Sequence, residues 1–299
     1  MSLFGSRAIE NEPMSRHTTF GVGGPADFYV EVNTPDEMVE AVNTAINHGI
    51  EYFIVGGGSN LLVSDSGYRG LIIKSNLNHF SDDSTEVTVG SGHNLEKMID
   101  RLCDLGLAGF ESLAGIKGSV GGAIYGNAGA YGAAISDCLT SAMIFKPGDK
   151  ARNVQKNYFD FSYRHSILKN TGEVVLEAKF MLEKSSPDEL KEKVREILEI
   201  RGQKHPGHDC SAGCFFKNIE KADEQYGKLA AGALLEEVGA KSLKVGNAGV
   251  YKNHANILVN LGGAKADDIK ELAMKLKQRV KEKFGYDLQE EITYLGDFS

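Results

Sequence analysis

The sequence has no excess of positive charge. Its 33 Lys and Arg stand against 41 Asp and Glu, a formal net charge of −8. Neutralising a phosphate backbone needs a basic face, so the balance argues against a nucleic-acid binder. No uninterrupted apolar stretch reaches the roughly 20 residues that cross a bilayer. The opening residues, MSLFGSRAIENEPMSRH, contain no apolar run leading to a cleavage site, so no signal peptide is expected and the expected compartment is the cytoplasm. Cysteine is scarce. Cys103, Cys138, Cys210 and Cys214 read as free thiols in a cytosolic chain. Repeats and low-complexity segments are missing. So are a G-x-G-x-x-G fingerprint after a strand, a P-loop and an H-E-x-x-H helix.

What is present is an ordinary globular composition, 41% hydrophobic and 25% charged, over a length of 299 residues that suits about two domains. Glycine is abundant, with 35 residues clustered near 21–24, 56–58, 115–132 and 246–249. Such clusters let backbone turn through positive φ or approach a ligand closely. Helices are predicted over 34–49, with Thr34 and Glu37 as a capping box, over 95–105, from Ser186 to about Arg201, and near 228–238 and 266–283. Strands are predicted at 52–55, 71–73, 87–89, 174–182, 257–260 and 292–295. The stretch 114–132 carries little regular signal. Leu272, Leu276 and Val280 read as core. A domain boundary is expected just before Ser186, where Gly-rich sequence gives way to Lys/Glu-rich sequence. The class is mixed α and β.

Two glycine nests carry chemistry. Gly56-Gly57-Gly58-Ser59-Asn60-Leu61 follows a strand. Gly118-Ser119-Val120-Gly121-Gly122-Ala123 precedes Asn127 and the pair Gly129-Ala130. Successive N–H groups in such loops form anion-binding concavities, and Ser59, Asn60, Ser119 and Asn127 add side-chain hydrogen bonds. Two nests in one domain point to a pyrophosphate. A different chemistry is offered by His205, His208, Cys210 and Cys214, which lie within ten residues as H-x-x-H-x-C-x-x-x-C. These are zinc-ligand types, and a zinc-binding module is the alternative reading.

The H-T-T-F-G-V-G-G-P-A stretch at 17–26, V-G-G-G-S-N-L-L-V at 55–63, A-G-I-K-G-S-V-G-G-A at 114–123, N-A-G-A-Y-G at 127–132, Y-R-H-S at 163–166, S-A-G-C-F-F-K-N at 211–218 and L-Q-E-E-I at 288–292 occur in one order over nearly the whole chain. Together they resemble the UDP-N-acetylenolpyruvoylglucosamine reductase (MurB) family, in its shorter type without an extra tyrosine-bearing loop. The resemblance implies an α+β fold. A two-part FAD-binding domain of the vanillyl-alcohol-oxidase (PCMH) type would fill 1–184, with subdomains of about 1–75 and 76–184. A smaller α+β substrate-binding domain would fill 185–299, its last strand near 288–296 able to pack on the FAD domain.

The resemblance also implies non-covalent FAD, NADPH as reductant, and reduction of UDP-N-acetylglucosamine enolpyruvate to UDP-N-acetylmuramate for peptidoglycan. The partner would be a sugar nucleotide, without nucleic acid or membrane, and the protein a monomer or weak homo-oligomer. Hydride addition to the enolpyruvyl group leaves negative charge that a guanidinium and a protonated carboxyl group stabilise. Arg164 and Glu291 match those family positions. The proton donor, usually serine, is matched by Cys214, and a thiol with an ordinary pKa near 8.5 is the more acidic group. Tyr163, Lys204, Asn218 and His254 match positions near the substrate. Lys117, Ile219 and Gln289-Glu290 depart from the family pattern, and the register at Glu290/Glu291 is open by one, with Glu291 favoured. Another FAD-dependent oxidoreductase of the same superfamily is a further alternative.

Overall fold

The computed structural model describes residues 4, 7–208, 210–223 and 227–298. By packing, the chain forms two compact units. The first contains residues 28–57 and 70–200 with the N-terminal residues up to 10. The second contains 11–27, 58–69 and 201–299. This differs from the expected division at 184/185. The helix Pro187–Lys204 was expected to open the second domain, yet its buried Leu190 and Val194 join the first unit's core with Leu102 and Cys103. The Lys/Glu-rich composition describes that helix's solvent face, whereas its sparse apolar face decides where it packs.

The first unit is built mainly on two larger sheets. One has the strand order Ile9–Pro13, Pro25–Val32, Tyr68–Ser75, Tyr52–Val55, the last two parallel with Tyr52 opposite Leu71. The helix Pro35–Asn47 covers it, burying Met38 and Val42 against Val30, Leu71 and Ile73. Thr34 caps this helix by accepting from Glu37 N. The Glu37 carboxylate reaches back one residue further than a capping box requires, to Asn33 N at 2.7 Å. The second sheet is antiparallel, in the order Arg152–Gln155, Leu139–Phe145, Val174–Met181, Glu86–Gly90, Phe80–Asp83. The helix Leu95–Asp104 starts at Asn94, whose side chain accepts from Lys97 N, and packs Leu95, Met98, Ile99 and Leu102 into that unit's core.

In the second unit, strands Lys244–Val245, Ala248–Val250 and Leu258–Asn260 form an antiparallel sheet. The helix Ala266–Phe284 buries Ile269, Leu272, Leu276 and Val280 in its core, as the spacing predicts. The last strand, Thr293–Leu295, pairs parallel with Leu61–Val63. Among the described residues no helix is long and apolar enough to cross a membrane.

Candidate functional site

The two glycine nests meet in the first unit. A Cβ at Gly56 would lie 2.1 Å from Ser119 Oγ, and one at Gly57 would lie 2.6 Å from Gly118 Cα. Glycine at 56 and 57 is what permits these approaches. Lys74, half-buried on the neighbouring strand, donates its amine to the Gly56 carbonyl, and burial holds its pKa below the usual lysine value. Sequence reasoning missed Lys74. It also missed a third glycine-rich segment, Gly90-Ser91-Gly92, on which the second nest rests: a Cβ at Gly121 would lie 2.8 Å from that of Ser91.

The second nest is a short helix, Val120–Gly126, within the stretch expected to be irregular. Ser119 caps it, accepting from Gly122 N at 3.2 Å, while Val120, Gly121 and Ala123 donate their N–H groups to His93, Ser91 and Ser119 carbonyls. Those four donors are therefore used within the fold. Gly129 and Ala130 pair with Ala134 and Ala133 across a two-residue turn, Tyr131-Gly132, in which both residues have positive φ.

Asn127 ends the short helix in a left-handed conformation, φ +43°. Its amide nitrogen donates to Ser162 O at 2.9 Å. Its Oδ1 is buried and finds no hydrogen-bond donor among the described residues. A dinucleotide of the flavin type supplies hydroxyl and ring N–H donors for such an acceptor. With this orphaned acceptor beside the closely packed Gly56–Gly57 and Gly118–Ser119 loops, the residues present fit FAD.

Asn127 also supports the expected catalytic arginine. Ser162 and His165 exchange backbone hydrogen bonds of 3.2 and 3.1 Å, leaving Tyr163 and Arg164 at the corners of a tight turn. Arg164 has φ +55°, a conformation that costs a side-chain-bearing residue roughly 1–2 kcal/mol. Its guanidinium carbon lies 5.3 Å from the Tyr163 ring centre. The turn is tied down by Asn127, by Ser166 Oγ donating to Tyr125 O at 2.8 Å, and by Lys169 Nζ donating to Arg164 O at 2.9 Å.

In the second unit, Cys214 and Glu291 stand on two backbone segments hydrogen-bonded to each other. Glu291 N donates to Phe215 O and Lys217 N to Gln289 O, each at 2.8 Å, with Phe216 bridged to Glu290. Asn256, 1% exposed, clamps the cysteine-bearing segment: Phe216 N donates to its Oδ1 and its Nδ2 donates to Phe216 O. The motif N-H-A-N contained this residue, yet nothing in the sequence set it apart from its neighbours.

The Glu290 carboxylate is engaged by Lys277 at 3.4 Å and by the Tyr294 hydroxyl, whose pKa burial pushes up. Glu290 is thus tied to the Ala266–Phe284 helix and to the last strand. Asn60, expected at the cofactor, instead donates to Glu291 O at 3.1 Å and accepts Thr293 N through its own carbonyl. Leu61 lies in the paired strand, and Gly58 closes on the 17–26 segment so tightly that its Cβ would lie 1.8 Å from His17 O. Ser59 lies between them in the same loop.

The four expected substrate residues take distinct places. Asn218 Oδ1 accepts Ala231 N at 3.1 Å and so caps the helix Ala231–Glu237. Lys204 ends its helix next to His205, whose ring lies 5.9 Å from that of His254. Burial, reinforced by Arg201, His254 and Lys204, pushes the His205 pKa down to about 4, and burial lowers that of His254. Both rings are neutral at pH 7, and His254 Nδ1 accepts Asn256 N at 3.2 Å. Tyr163 sits on the arginine turn. The zinc alternative fails on placement. Among the described residues no three His, Cys, Asp or Glu side chains gather as a metal site requires. Cys210 is buried with Ile257 and Val259, while the His205 ring faces His254.

Residues 26–154 match the FAD binding domain family, and residues 205–295 match the UDP-N-acetylenolpyruvoylglucosamine reductase C-terminal domain family. The UDP-N-acetylenolpyruvoylglucosamine reductase of Lachnoclostridium phytofermentans is 36% identical over 303 residues, covering 97% of this chain and 94% of its own. That of Clostridium novyi is 38% identical, covering 100% and 95%. The crystal structure of the Thermus caldophilus reductase (MurB) superposes with a TM-score of 0.81 at 32% identity, over 96% of this chain and 98% of that one. Physcomitrella patens BBE-like 1 shares the fold alone, with a TM-score of 0.50 at 14% identity over 62% of this chain and 45% of that one.

Proposed function

The chain belongs to the UDP-N-acetylenolpyruvoylglucosamine reductase family, and on that premise we propose that Arg164, Glu291 and Cys214 carry its chemistry. The reaction is the NADPH-dependent reduction of UDP-N-acetylglucosamine enolpyruvate to UDP-N-acetylmuramate in peptidoglycan precursor synthesis. FAD, when bound, supplies the hydride relay between NADPH and the enolpyruvyl double bond. The Gly56–Gly57 loop, Gly118, Ser119 and Asn127 would hold it.

Hydride arriving at the terminal carbon of that double bond leaves an electron pair on the neighbouring carbon, delocalised into the carboxylate. The Arg164 guanidinium stabilises the developing negative charge, and the Glu291 carboxyl group hydrogen-bonds to it. Cys214 Sγ–H transfers its proton to the carbanionic carbon, and the resulting thiolate takes a proton back from solvent. Lys204 offers a cation suited to the diphosphate. His254, neutral through burial, serves as a hydrogen-bonding group, with Tyr163 and Asn218 beside the sugar nucleotide. The net charge of −8 supports action without nucleic acid, and dependence on NADPH and a nucleotide sugar supports a cytoplasmic enzyme.

The observation that supports these roles best is the hydrogen-bonded pairing of the Cys214 and Glu291 segments, locked by Asn256. The test is an anaerobic two-step experiment on Cys214→Ala. NADPH bleaches the flavin at the wild-type rate, and the enolpyruvyl substrate restores its colour at least about 100-fold more slowly. Cys214→Ser keeps both steps. Equal wild-type rates for both steps in the alanine variant rule the proton-donor role out.

A further inference from the structure

We infer that Lys169 is a positioning residue for Arg164, setting the direction in which the guanidinium leaves the backbone. The inference rests on the role proposed for Arg164. Lys169 lies five residues beyond it, in the short helix Leu168–Thr171, and its ammonium returns to the Arg164 carbonyl at 2.9 Å. A hydrogen bond from a charged donor is about twice as strong as one between neutral groups. It falls on the one carbonyl whose orientation fixes ψ at Arg164.

The position needs such a hold. Arg164 adopts φ +55° with neither glycine's freedom nor asparagine's local hydrogen bonding to favour it. Released from its carbonyl anchor, the residue relaxes toward a right-handed or extended conformation, and the side chain swings away. The neighbouring supports act elsewhere in the turn. Asn127 holds the Ser162 carbonyl, and Ser166 holds Tyr125. The Lys169 ammonium also lies 5.6 Å from the centre of the Tyr125 ring, on the segment that Ser166 anchors. One cation thus ties the arginine corner to the end of the Val120–Gly126 helix. Lys169 acts through Arg164 and is assigned no contact with substrate.

The test is a double-mutant cycle on the FAD-loaded enzyme, with the two half-reactions read separately. Lys169→Met keeps the aliphatic stem and removes the donor. It is expected to slow flavin reoxidation by the enolpyruvyl substrate about tenfold, less than the roughly 100-fold that a 1 Å misplacement can cost, while reduction by NADPH stays within about twofold. Lys169→Arg, which restores a charged donor, recovers most of that loss. In an Arg164→Ala background Lys169→Met adds less than about twofold, because the group it positions is gone.

The inference is overturned if Lys169→Met multiplies its full effect onto Arg164→Ala, if both half-reactions slow together with loss of melting temperature and flavin content, or if arginine at 169 rescues nothing. Lys169→Gln carries the same criteria should the methionine variant fail to fold. If Arg164→Ala alone leaves reoxidation unchanged, the role proposed for Arg164 falls, and this inference falls with it.

Discussion

Gly57 and Gly118 approach each other within the distance of a single methyl group. An added Cβ forces apart the two loops assigned to FAD, and overpacking of this kind costs roughly 1–3 kcal/mol. Gly57→Ala is therefore expected to purify with little bound flavin, read as the ratio of flavin to protein absorbance. Full flavin content would mean that the loops yield without losing the cofactor. At this scale the local motifs single out Arg164, Cys214 and Glu291, the residues proposed to carry the chemistry. The jobs of the asparagines are not legible in this way. Asn60 serves a carbonyl 231 positions away and Asn127 one 35 positions away. Asn218 caps a helix 13 positions on, and Asn256 clamps a segment 40 positions back. An amide's partner across such separations leaves no mark on the residues around it.

Elements with a cap or an unbroken apolar stripe could be read directly, as Thr34 before its helix and the Ala266–Phe284 stripe show. The strand Leu139–Phe145 escaped notice because two register irregularities break its alternation. The helix Val120–Gly126 escaped because its two leading glycines disfavour helix, and it forms only through Ser119 and the carbonyls of Ser91 and His93. A pH response belongs to the end of the Pro187–Lys204 helix. Folded His205 titrates near 4, below the 6.5 of an open histidine. Between those values the unfolded chain binds a proton that the folded chain refuses, so stability present above pH 6.5 is lost as pH falls toward 4. His205→Gln removes that contribution. Its urea midpoint should fall less than that of the parent between pH 6.5 and 4, and parallel curves would mean that His205 is protonated in the folded protein.

The whole chain passes from one unit to the other at 10/11, 27/28, 57/58, 69/70 and 200/201. A boundary read from composition assumes that a domain is one continuous piece, which is why the expected edge at 184/185 missed the contribution of 11–27 and 58–69. Phe20, Val22 and Leu62 come from those pieces and lie in the core with Leu272 and Leu276. Each apolar side chain so buried contributes about 1.5–3 kcal/mol. A fragment of residues 201–299 is therefore expected to show no cooperative urea transition by circular dichroism. A sharp transition would mean that the C-terminal third folds without its inserted strands.

The parallel pairing of Leu61–Val63 with Thr293–Leu295 also sets a timetable. At about 5–20 residues per second on the ribosome, the 231 positions between Asn60 and Glu291 take roughly 10 to 50 seconds to synthesise. Throughout that interval the early strand has been made and its partner has not. An apolar edge that waits so long for a partner made later in its own chain is an opening for chaperones, and for other nascent copies of the same sequence.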